Sequence, residues 1–88
     1  MMEDEKRTRV DAAIEWLQSI ARRGDVKGLI FEIEAKAHLD PERILREGFY
    51  LLYQIAPVPV TRAAIARFAP LIPQTEAVQN DLGFLLHG

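Results

Sequence analysis

Apolar positions along this chain fall at helical intervals. From Glu3 to Arg23, the residues Val10, Ala13, Ile14, Leu17, Ile20 and Ala21 recur three and four apart, which lines them up on one stripe of an amphipathic helix. Acids at its start (Glu3, Asp4, Glu5) and Arg22 and Arg23 at its end complement the helix dipole, and Gly24 is placed to supply a left-handed C-terminal cap. Asp25 then reads as the N-cap of a second segment, with Val26, Leu29, Ile30, Ile33 and Ala37 as its stripe and Glu32 paired with Lys36. A rival period runs through the same region. From Phe31 to Leu39 apolar and polar residues alternate without a break, as in a half-buried strand. Helix is the better reading, because Glu, Ala and Lys are good helix formers and no other strand is available for pairing.

Asp40-Pro41-Glu42 combines an N-capping aspartate, a proline at the first helical position and an acid in the first turn. The third helix it starts should run to about Ala56. Ile44, Leu45, Gly48, Phe49, Leu51, Leu52, Ile55 and Ala56 cover an arc wide enough to make it the central helix. Gly48 inside it costs about 1 kcal/mol of helix propensity relative to alanine, which marks a place where another helix crosses closely. Pro57-Val58-Pro59-Val60 reads as a stiff extended connector, since each proline disfavours helix at the residue before it. Thr61 is then the cap of a fourth helix, Arg62 to about Ala69, and Pro70-Leu71-Ile72-Pro73 forms a proline-framed turn. A last helix follows from Gln74 or Thr75 to Leu86, with Val78, Leu82, Leu85 and Leu86 as its apolar positions. The expected fold is one all-α domain over residues 1–88, a small bundle of four to five helices.

Composition narrows the function. With 88 residues, 49% of them hydrophobic, the chain has generous apolar content for so small an interior, and sharing some of that surface with a partner is the natural outlet. There is no cysteine, so thiolate chemistry, thiolate metal sites and disulfides are excluded. A charged N-terminus without an apolar signal core, and no apolar run near the roughly 20 residues of a membrane span, predict a cytoplasmic protein with no membrane contact. The one serine, Ser19, and the two histidines, His38 and His87, have no spacing that suggests a nucleophile and its base. Glu34 and His38 sit four apart, half of a metal-holding pattern whose second half is missing. No metal, no cofactor and no catalytic residue are therefore expected.

Thr61-Arg62-Ala63-Ala64-Ile65-Ala66-Arg67-Phe68-Ala69, followed by a turn and Gln74 to Leu82, resembles an extended-turn helix-turn-helix pair. That resemblance implies a DNA-binding regulator in which Arg62 and Arg67 touch the phosphate backbone. Charge argues otherwise, for the second helix of the pair carries Glu76 and Asp81 and no cation, and the chain has a net charge of −2. The aromatic residues favour a different class. Trp16 falls roughly 100° from the centre of the first stripe. Tyr50 and Tyr53 lie on the side of the third helix away from Ile44, Leu51 and Ile55, and Phe31 points outward from the second. Such rings are favoured interface anchors. The expected function is a protein-binding regulatory or adaptor module, of inhibitor or anti-activator type, that grips another protein and also self-associates, with Trp16, Phe31, Tyr50 and Tyr53 at the interface. In an electrophoretic shift assay with pooled genomic fragments at physiological salt, only feeble, competitor-sensitive binding is expected. Tight binding abolished by Arg62→Ala and Arg67→Ala would instead make this a DNA-binding protein.

Overall fold

Capping at several helix ends completes the backbone hydrogen bonding of those termini. In a computed structural model, which describes residues 2–72, α1 spans Met2–Arg22. It closes at Gly24, whose φ of +71° is the left-handed conformation that the cap requires, with the Gly24 N–H donating to the Ala21 carbonyl at 2.9 Å. Asp25 caps α2 (Val26–Lys36) by accepting the Gly28 N–H on Oδ1 at 2.9 Å. A 3-10 turn, Ala37–Leu39, leads to Asp40, whose Oδ1 accepts the Arg43 N–H at 3.3 Å and starts α3 (Pro41–Ile55). The alternating segment from Phe31 onward is thus helix and 3-10 turn, and no strand occurs among the described residues.

The fourth helix differs from the sequence reading. Pro57 to Val60 is not an extended connector and Thr61 is not a cap, because α4 (Val58–Arg67) begins three residues earlier, with Pro57 as its N-cap. The first turn of a helix needs no intrahelical N–H donors, so Pro59 at its second position loses nothing, and the Pro57 carbonyl already accepts from the Val60 and Thr61 N–H groups at 3.0 and 3.1 Å. Thr61 is consequently interior and buried. Its hydroxyl lies 3.4 Å from both the Leu52 and the Pro57 carbonyl oxygens, across the junction of α3 and α4. A second 3-10 turn, Ala69–Leu71, follows Phe68, so the helix stops at Arg67 rather than Ala69. The last expected helix, with Val78, Leu82, Leu85 and Leu86, and the second half of the helix-turn-helix pair lie outside the described residues, as do Pro73 and His87.

The stripe of α1 is buried in full: Val10, Ala13, Ile14, Leu17, Ile20 and Ala21 all belong to the core. On α2 the buried residues are Leu29 and Ile33, followed by Ala37 in the turn. The central element is α3, which packs against α1, α2 and α4. Its deepest face is Ile44, Leu45, Gly48, Phe49 and Leu52, while Leu51 and Ile55 are half-buried at its margin. A fully buried Phe68 at the end of α4 stacks on Phe49 with ring centroids 6.0 Å apart, which ties the last described turn to the middle of α3. Asp11 and Arg43 join α1 to α3 at 3.0 Å.

The crossing expected at Gly48 is present. A β-carbon there would lie 2.6 Å from Cγ1 of Ile33, so α2 and α3 approach at a distance that only glycine permits. In an open helix Gly48→Ala would add about 1 kcal/mol of stability. At this crossing it should instead cost about 1–3 kcal/mol, read as a lowered thermal midpoint, and shortening the opposing side chain with Ile33→Ala should make the two changes non-additive. A stabilised Gly48→Ala protein would show that the helices do not meet there.

Candidate functional site

Helical geometry decides which rings the core leaves outside. Phe31 stands two residues from both Leu29 and Ile33, about 200° round the helix from each, and is 70% exposed. Trp16, between the buried Ile14 and Leu17 but off their stripe, is 45% exposed, and Tyr50, one residue beyond the buried Phe49, is 53% exposed. These three lie where the sequence placed them. Tyr53 does not share their setting: it follows Phe49 by four residues, so it lies on the core-facing row of α3 and packs half-buried against the core.

Trp16 has the most developed surroundings. The Arg23 guanidinium lies over its ring, 5.5 Å from the centroid, a cation–π contact between two exposed residues at the end of α1. The indole also lines a cleft of about 520 Å³ between α1 and the turn after α2, together with Arg9, Ala12, Ala13, Lys36, His38 and Leu39. None of the other three rings enters this cleft, so the four aromatic residues do not converge on one pocket. The expected Glu32–Lys36 pair is absent among the described ion pairs, because Lys36 ends its helix and turns to the cleft beside Trp16. A periodicity argument finds Trp16 but not this cleft, whose far wall is a 3-10 turn that a helical wheel does not describe.

A second, more apolar depression of about 350 Å³ lies between α2 and α4, lined by Ile30, Pro59, Val60, Ala63, Ala64 and Arg67. Arg67 is held there. Its guanidinium meets Glu34 Oε2 at 2.6 Å, bridging α2 to α4, and lies 5.9 Å from the centroid of the Phe68 ring. Glu34 is therefore engaged with Arg67 rather than with His38, and α2 ends at Lys36, so His38 does not continue its helical face. Arg62 is exposed on the same helix. Among the described residues no group of three or more His, Asp or Glu side chains gathers as metal ligands do, and no helix is long and apolar enough to cross a membrane.

Compared with protein-family models, with curated proteins and with solved structures, the chain shows no match. The Arg67–Glu34 pair is half-exposed on both sides, so a double-mutant cycle on Arg67→Ala and Glu34→Ala should give a coupling of no more than about 1 kcal/mol, declining as salt is added. A coupling above about 2 kcal/mol would mean that the pair is shielded from solvent by something that covers the α2–α4 depression.

Proposed function

We propose that this protein is a small regulatory or adaptor module that works by binding another protein, in the manner of an inhibitor or anti-activator, without catalysis and without a cofactor. The observation that carries the reading is the exposure of Trp16, Phe31 and Tyr50 on three helices whose buried faces are already complete without them. Aromatic side chains bring large contact area at small cost in conformational entropy, and burying each against a partner removes apolar surface from water. Nothing in the folding of α1, α2 or α3 requires these positions to be aromatic, because the stripes that hold the bundle together run through other residues. Tyr53, half-buried, contributes at the margin of such an interface rather than at its centre. A second copy of the chain is one candidate partner, with Phe31 or Tyr50 as the contact.

Anchors and core residues respond oppositely to truncation. Trp16→Ala, Phe31→Ala and Tyr50→Ala should leave the thermal midpoint near that of the parent, while a true anchor among them should lose about 2 kcal/mol of binding, roughly thirtyfold in affinity, in sedimentation or pull-down with its partner. Phe49→Ala, as the buried control, should lose about 3–5 kcal/mol of folding stability. If all three surface variants stay folded and associate with themselves or a partner as the parent does, the protein-binding reading is wrong.

A further inference from the structure

The cleft between α1 and the turn after α2 carries a charge pattern that the bundle itself does not use. Ala12, Trp16 and Leu39 give it an apolar floor, and Arg9, Lys36 and His38 stand at its rim. Three other arginines of the described residues are in ion pairs: Arg43 with Asp11, Arg46 with Glu42 and Arg67 with Glu34. Arg9 and Lys36 have no such partner among the described residues. Arg23, stacked over the indole, adds a further cation at the Trp16 end. Arg9 also lines a separate depression with Asp4, Glu5 and Thr8. Arg9, Lys36 and Arg23 thus stand around the one tryptophan with no ion pair among the described residues.

We infer that this cleft is the docking site of an acidic, amphipathic peptide segment of a partner protein, whose apolar side chain packs on Trp16 and Leu39 while its carboxylates meet Arg9 and Lys36. The inference rests on the protein-binding reading above and gives that partner its chemistry. Unpaired cations beside an exposed aromatic floor are complementary to alternating carboxylates and apolar groups, and such complementarity selects partners and speeds encounter. A second copy of this chain fits the cleft poorly. A twofold interface sets the same patch against itself, which would bring Arg9 and Lys36 of both copies together.

Trp16 is the only tryptophan of the full chain, so its fluorescence reports on this cleft alone. The full chain would be titrated with a synthetic peptide that spaces Leu and Phe four residues apart among glutamates, and with versions carrying glutamine or lysine at the glutamate positions. The glutamate peptide should shift Trp16 emission to the blue in a saturable manner that weakens with salt. Its affinity should fall at least about tenfold in the Arg9→Glu, Lys36→Glu double variant, where two exposed charge contacts are lost and repulsion replaces them. The Lys6→Glu, Lys27→Glu double variant, with the same change in net charge, should bind as the parent does, and circular dichroism would confirm that both variants fold. Equal shifts with the glutamine or lysine peptide, no shift at all, or undiminished binding by the Arg9, Lys36 variant would each overturn the inference. So would a shift produced by phosphatidylserine vesicles but not by the peptide. A partner that the parent and the Arg9, Lys36 variant bind equally well would overturn the cleft while leaving protein binding intact, whereas the three alanine variants above test protein binding itself.

Discussion

A side chain of α2 packs against Gly48 of α3 more closely than a residue with a β-carbon would allow, and α3 is the helix on which the bundle is assembled. Ile33 fills the space a β-carbon at Gly48 would need, and both residues are buried where α2 meets α3. Helix α3 also packs against α1 and α4, and α4 reaches α2 through the Arg67–Glu34 pair. Phe49, the neighbour of Gly48, receives Phe68. The helix thus carries a small residue where it must approach and a large one where it must reach.

How much of this could be read from residues alone depended on whether local chemistry determined it. The caps at Gly24, Asp25 and Asp40 are local, because each side chain or backbone geometry serves N–H or carbonyl groups within a few residues of itself. Both the full stripe of α1 and the exposure of Phe31 follow from helical period in the same way. Pro57 to Thr61 misled because two local rules compete there. Proline discourages helix in the residue before it, yet is welcome in a helix's first turn, and the Pro57 carbonyl with its two N–H donors settled the matter in favour of the second. The long-range features left weaker traces. Nothing in the neighbourhood of Glu34 announces Arg67, thirty-three residues away, and nothing near Trp16 announces the turn that completes its cleft. Tyr53 was misplaced by treating it with Tyr50, when its spacing from Phe49 was the informative one.

The surface has its own division of labour. Ion pairs reach from α1 to α3 and from α2 to α4, where they reinforce contacts already made by apolar residues. The cations around Trp16 reinforce nothing inside the bundle. Arg23 lies over the Trp16 ring and Lys36 lines the same cleft, so their charges stand beside an exposed aromatic face that a bound group would meet.

The joints between helices are short: residues 23–25 between α1 and α2, residues 37–40 between α2 and α3, and Ala56 with Pro57 between α3 and α4. Among the described residues the α1–α2, α2–α3 and α3–α4 interfaces join helices that are neighbours in sequence, whereas the packing of α1 on α3 and the Arg67–Glu34 bridge from α2 to α4 each span a whole intervening helix. The search for the native arrangement is therefore mostly a set of small closures, each costing little chain entropy, followed by two longer ones. Helical chains of such low contact order reach their folded state in microseconds to milliseconds. The Gly48 crossing lies within the second of these closures, so this close fit forms between segments that are never far apart in the chain.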